Sequence, residues 1–286
     1  MSLLLPPHAQ VPAVLAGNGF LFSFVRREFV LVPGSNLTLT LALSSALLLI
    51  ATPGAAQELA PFSTAKSEAL PAPWRLVGLP KGRAPLAQFE IATVDNDKVL
   101  KLATDKTYGT ALHEVKPTVL AAGSMLKWRW RLEQELPLAD LKAKATDDAA
   151  IKVCASFDLP LDKLGFIERS VLQIARKAST ERLPGATLCY VWDHKLPVGS
   201  ELANAFTQRL RYVILDSGEK QRGQWVTHER DLAADLLRAF GHEFDTPPPL
   251  IAIVVGADSD NTKGQSLAYV GDVLLTVKSN EVKKPE

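Results

Sequence analysis

Cysteine is scarce, with only Cys154 and Cys189 in 286 residues. There is no Cys-x-x-Cys, so neither a thiol redox centre nor a zinc ribbon has a basis in the sequence. The two thiols can pair in an oxidising compartment, or lie apart as small core residues, because each sits in an apolar, β-rich run. An excess of one charge is missing too. Of 32 Lys and Arg and 31 Asp and Glu, only Arg26, Arg27 and Glu28 fall in the first 56 residues, which leaves 30 of each sign. A chain so balanced builds no electrostatic funnel toward nucleic acid and no polybasic face toward anionic lipid. Nucleic acid is therefore not expected among its partners. Catalytic templates are absent as well: there is no Gly-x-Ser-x-Gly, Gly-x-Gly-x-x-Gly, phosphate loop or His-Glu-x-x-His.

Long apolar runs are few, and the one from Leu37 to Ala51 is too short to span a bilayer comfortably. It ends at Thr52-Pro53-Gly54, and Gly54 and Ala56 occupy the two positions that a signal peptidase needs small. Arg26 and Arg27 supply the positive side upstream. Residues 1–56 thus read as a leader with a signal peptide, and an uncleaved membrane anchor is the competing reading. Residues before about Val25 carry Pro6, Pro7 and Pro12 and no charge, unlike a signal n-region, so translation is expected to start downstream of Met1. Cleavage after Ala56 leaves about 230 residues, enough for one large β domain. The expected location is the periplasm or beyond, with no membrane span after cleavage.

Residues 57–73 are rich in Pro, Ala and Ser and predict a flexible lead-in. From Trp74 onward, short alternating runs separated by turn residues predict strands. Ala87 to Val94 and Lys98 to Thr104 flank a turn at Asp95-Asn96-Asp97. In Met125 to Leu132, Leu126, Trp128, Trp130 and Leu132 share one face, with Lys127, Arg129 and Arg131 on the other. Leu250 to Val255 is apolar throughout, as in a central strand covered on both sides. Two helical stripes interrupt the series: Leu164, Ile167, Val171, Ile174 or Ala175, and Ala178; then Leu232, Leu236, Leu237 and Phe240, which Gly241 terminates. The fold class expected is mainly β: one antiparallel β-sandwich, jelly-roll-like, over 74–277, with two short helices and a disordered tail over 278–286.

Chemistry has few places to sit. Asp258-Ser259-Asp260-Asn261-Thr262 follows the apolar strand. Asp258, Asp260 and Asn261 can contribute oxygens to Ca²⁺, although Lys263 and Tyr269 fall where an EF-hand needs Gly and Glu. A turn in which these side chains bond their own backbone is the plainer expectation, and no cofactor is required. Asp147 and Asp148 are adjacent, so on an extended chain they face opposite ways. Asp148 can join Asp258 or Asp260 as an acid/base pair. His113, His194, His228 and His242 are scattered singly. Trp128 with Trp130, and Tyr190 with Trp192, lie two apart, so each pair shares a face: a stacking platform for sugar rings if exposed, core if buried. Arg129 can grip an anion from the opposite face.

Trp128-Arg129-Trp130-Arg131, Asp147-Asp148, Tyr190-Val191-Trp192, Arg230 to Asp235, Asp258 to Thr262 and Tyr269-Val270-Gly271-Asp272 occur in that order. Over Trp74 to Val277 they resemble a bacterial exported family known as domain of unknown function 3047. That resemblance implies export and no particular activity. In fold the pattern is similar to jelly-roll carbohydrate-binding modules. The expected function is a non-catalytic binding or envelope-associated module, with a glycan or an envelope protein as partner and Trp192, Asp193 and His194 as contacts. A hydrolase of envelope polysaccharide using Asp148, Asp258 and Asp260 is the alternative, and a structural or protein-interaction role is the third reading.

Overall fold

The computed structural model describes residues 55–57, 59–160, 164–178, 183–241 and 243–278. The apolar run of the leader, His242 and the tail beyond Lys278 lie outside the described residues. In chain order the elements are β1 (Ala55–Gln57), β2 (Arg75–Val77), β3 (Gln88–Val94), β4 (Asp97–Asp105), β5 (Tyr108–Thr118), β6 (Met125–Gln134), β7 (Ala149–Phe157), α1 (Phe166–Ala178), β8 (Ala186–Asp193), β9 (Glu201–Ala203), β10 (Leu210–Ser217), β11 (Val226–Asp231), α2 (Leu232–Phe240), β12 (Leu250–Asp258), β13 (Gln265–Val270) and β14 (Leu274–Val277).

Two sheets of seven strands each pack face to face. One holds β1, β14, β6, β13, β4 and β3, with β11 also on β6; the other runs β2-β5-β12-β7-β8-β10-β9. β6 is the hub of the first sheet, pairing with β11, β13 and β14. Pairing is antiparallel as expected except between β8 and β10, which run parallel. Asp95 and Asn96 form the tight turn between β3 and β4, both at positive φ (52° and 68°), as a two-residue hairpin of that hand requires. α2 begins where the Asp231 side chain accepts from Ala234 N, and it ends at Gly241, whose N–H returns to Leu237 O. α1 forms between β7 and β8 as its spacing predicts, but Ile174 is exposed on it.

The alternation in β6 has the expected sense. Leu126, Trp128, Trp130 and Leu132 are buried between the sheets and meet Tyr190 and Trp192 from β8. The polar ends of this aromatic cluster are mostly satisfied: Trp130 Nε1 and His228 Nε2 both meet Asp216 Oδ2 (2.6 and 2.7 Å), and the Tyr190 hydroxyl donates to Asp235 Oδ2 (2.8 Å). The lead-in expected to be flexible is instead bound into the sandwich. Phe62 is fully buried, Trp74 Nε1 donates to Ala60 O, and the Ser63 backbone and hydroxyl both donate to Asp272. Its prolines and serines hid the apolar anchors Leu59 and Phe62. The expected cleavage point after Ala56 falls inside β1, which pairs with Leu275–Val277.

The second sheet is covered on its outer face too. There Cys154, Cys189, Val191, Tyr212 and Ile214 lie under Leu141 and Leu196 from the neighbouring loops. Cys154 and Cys189 stand opposite each other on β7 and β8 and are joined as a disulfide. Closing a loop of 35 residues removes unfolded-chain entropy, worth about 3–4 kcal/mol in the chain-entropy account. Replacing both cysteines by alanine should lower the unfolding free energy by about that amount, read from urea denaturation. A change below about 1 kcal/mol would show that the bridge adds little to strands already paired.

Candidate functional site

β7 and β12 lie side by side with Lys152 opposite Gly256. A Cβ at Gly256 would stand 3.0 Å from Lys152 Cε and 3.0 Å from Thr110 Cγ2, so the glycine is the space across which the lysine stem lies. Its ammonium reaches Asp258 Oδ2 at 2.7 Å, with both side chains buried. Asp258 Oδ1 accepts from Ala149 N (2.8 Å), which fixes the chain just after Asp147 and Asp148.

These two aspartates then take different tasks. Asp148 accepts four hydrogen bonds, from Asn261 N and Nδ2 on Oδ1 and from Thr262 N and Oγ1 on Oδ2, and so clamps the β12–β13 loop. Asp147 accepts from Asn204 Nδ2 (2.5 Å) and from the Tyr212 hydroxyl (3.3 Å). Asn204 is itself fixed, because its Oδ1 accepts from Phe206 N and Thr207 N.

Between these groups, on the outer face of the second sheet, is a pocket of about 430 Å³. Lys152 and Asp258 line it together with Tyr108, Tyr212, Asp147 and Asn204. Asp260 and Asn261 belong to the clamped loop, and Leu79, Arg83, Phe206 and Leu210 complete the wall. A cavity this size falls within the roughly 300–1,000 Å³ usual for small-molecule sites. Phe206 is 58% exposed at its edge.

Burial dominates the electrostatics. It pushes the Asp147 carboxyl up to about 6, with Lys152 pulling against it and Asp258 adding to it. It also raises the Tyr108 and Tyr212 hydroxyls. Burial works against the Lys152 ammonium, but Asp258, with Tyr212 and Tyr108 adding to it, outweighs it and holds the lysine charged. Asp260 is raised by burial and then by Asp258 and Asp148 nearby.

Asp148, Asp258 and Asp260 bring carboxylate oxygens within 4.8 Å of one another, as a cation site would. The donor set is largely committed, however: Asp148 to four protein donors, and Asp258 to Lys152 and Ala149. The loop is therefore held chiefly from across the sheet, by Asp148, Ala149 and Lys152, and not by the bonds to its own backbone that its composition favours, and the acid/base pairing of Asp148 with Asp258 or Asp260 loses its ground.

Other expected contacts lie elsewhere. Trp128, Trp130 and Trp192 are at most 2% exposed, so their ring faces are core and offer no stacking platform. Asp193 accepts from Lys195 N and Leu196 N and holds a turn; His194 pairs with Glu135. Arg129 lies on the outer face of the other sheet, bonded to Asp97 and 4.5 Å from the Trp225 ring centre. His113 is neutral structure: its Nε2 accepts from Ala60 N, and burial lowers its pKa. The site residues that sequence reading missed are Lys152, Tyr108, Asn204, Phe206 and Tyr212. A single lysine in the apolar run Ile151 to Phe157, with a glycine in the equally apolar β12, was the available signal.

Asp147 gives the site a pH signature. Folding raises its pKa from about 4, the unfolded value, to about 6. The folded chain therefore binds the extra proton, and this residue's contribution declines as pH climbs through that window and stays lost above it. Of the groups facing it, Asn204 does not titrate, Tyr212 stays neutral and Lys152 stays charged over that range, while the Asp258 carboxyl is itself raised by burial. The variant Asp147→Asn removes the term, so its Tm relative to the native chain should be higher at pH 8 than at pH 4. An equal offset at both pH values would show that Asp147 titrates normally.

Among curated proteins, none matches the chain in sequence. Solved structures similar to it include the family 11 carbohydrate-binding module of the cellulosomal cellulase Lic26A-Cel5E of Clostridium thermocellum, at 9% identity and TM-score 0.37. That alignment covers 79% of this chain and 97% of the module. TmCBM61, solved with β-1,4-galactotriose, aligns at 12% identity and TM-score 0.29 over 72% of this chain and 90% of its own. The family model described as a protein of unknown function (DUF3047) matches residues 72–274, and the chain belongs to that family.

Proposed function

We propose that the protein is an exported, non-catalytic binding module that holds a saccharide in the pocket on the outer face of the second sheet. One observation carries this reading. The pocket places fixed polar groups (Asp147, Asn204, Asn261 and the Tyr212 hydroxyl), together with Tyr108, beside an exposed ring, Phe206. Sugars present hydroxyls at their edges and C–H groups on their faces, so a polar floor with an aromatic edge is the surface they match. The polar floor is prearranged by hydrogen bonds within the protein, which lowers the ordering cost of binding.

Two features support a place outside the inner membrane. The leader reads as an export signal, and the Cys154–Cys189 disulfide suits an oxidising compartment. Among the described residues, no helix is long and apolar enough to cross a membrane.

A glycan array with the mature chain, followed by titration of the best ligand, tests the reading. Phe206→Ala should weaken binding by up to about tenfold, the scale of one lost aromatic contact. Arg129→Ala, on the other sheet, should leave it unchanged. Absence of binding to any saccharide by the folded protein would overturn the proposal, and so would a loss with Arg129→Ala in place of Phe206→Ala.

A further inference from the structure

We propose that the pocket selects a saccharide bearing a free, protonated amine: an amino sugar whose nitrogen is not acylated. This deepens the reading of the pocket as a saccharide site and rests on it. Three carboxylates line it, from Asp147, Asp258 and Asp260, and Asp148 stands directly behind. Lys152 is committed to Asp258, and among the described residues no ion pair reaches Asp147 or Asp260. Arg83 lies at the exposed edge, where solvent and salt screen it.

The two carboxylates without an ion pair of their own, which feel Lys152 only at a distance, come from separate segments and differ in setting. Asp147 is 6% exposed, yet both its hydrogen-bond donors are neutral: an amide and a phenol. Asp260 sits in the clamped loop beside two further acids. A buried carboxylate without a cation is costly, and a ligand that brings one recovers the loss. The rings of Tyr108 and Tyr212 supply electron-rich walls of the kind that accept an ammonium; Lys152 Nζ already lies 5.4 Å from the Tyr108 ring centre.

A divalent metal ion is a poorer occupant. It needs six to eight oxygens if it is Ca²⁺, but Asp148 and Asp258 have already given theirs to protein donors. The Lys152 ammonium, 2.7 Å from Asp258, would also repel it. An organic ammonium can form N–H bonds to Asp147 or Asp260 without displacing Lys152, and the pocket has room for the sugar ring that carries it. Acylating the nitrogen turns that cation into a neutral amide and leaves both carboxylates covered and unpaired.

Calorimetric titration of the mature chain at pH 7.5 with the glucosamine trimer, its fully N-acetylated counterpart and CaCl₂ tests this. One charge-assisted hydrogen bond in a desolvated site corresponds to about tenfold or more in affinity, so the free amine should bind at least that much tighter than the acetylated trimer. Asp147→Asn and Asp260→Asn should each bring the two affinities together, with the fold checked by circular dichroism. Equal binding of both trimers, or a preference for the acetylated one, would overturn the inference while the pocket remained a saccharide site. Displacement of the amine by Ca²⁺ would assign the carboxylates to a metal and also overturn it. Binding of neither trimer, with a neutral glycan bound on the array, rejects the amine alone; no saccharide bound at all rejects the site with it.

Discussion

The buried ion pair between Lys152 and Asp258 is the constraint on which the pocket depends. Two charges taken out of water cost several kcal/mol each before their attraction is counted, so the pair is retained only where its geometry is good. Here Asp258 also accepts from Ala149 N, which holds the start of β7 against the end of β12. That one carboxylate thereby places Asp147 and Asp148. Asp148 in turn clamps Asn261 and Thr262, and Asp147 gathers Asn204 and Tyr212. The pocket walls come from five separated stretches of chain, and three of them, 147–152, 204–212 and 258–261, are tied together by hydrogen bonds that begin at this pair.

The rest of the sandwich explains why such a site can exist on a sheet face. Its aromatic weight lies between the sheets, where Trp128, Trp130, Tyr190 and Trp192 pack together with Asp216 and Asp235 taking their polar ends. The outer face of the second sheet is stiffened separately, by the Cys154–Cys189 bridge under Leu141 and Leu196. Polar groups can therefore be spent on the pocket without weakening the core. The charge left over on Asp147 and Asp260 follows from the same arrangement, because Lys152, the buried cation of the pocket, is already committed to Asp258.

Local patterns in the chain were enough to read many of the strands, though not β5, β2 or β9, and the non-local relations were not legible. The period-two alternation in Met125 to Leu132 and the positive-φ turn at Asp95-Asn96 depend on neighbours in sequence, and both formed as read. Gly241 ended its helix for the same reason. The acidic clusters 147–148 and 258–260 were legible as sites of interest, but not their division of labour. Whether an aspartate clamps a loop or faces a pocket is set by strand register over more than a hundred residues. Lys152 was hidden by lying in an apolar run, and its meaning appears only when Gly256 is seen opposite. The tryptophans misled as ligand contacts because alternation tells which residues share a face, not which face is covered. The lead-in misled because composition outvoted two apolar anchors, Leu59 and Phe62.

The central claim is that ligand meets this protein at the Lys152–Asp258 pocket and at no other surface. The most direct measurement is a map of backbone amide chemical-shift changes on adding the glucosamine trimer to the isotopically labelled protein. The account predicts changes confined to Tyr108, Asp147, Asn204, Phe206, Tyr212 and the 258–262 loop. Changes centred on Arg129 and Trp225 of the opposite sheet, or none at saturating trimer, would contradict it.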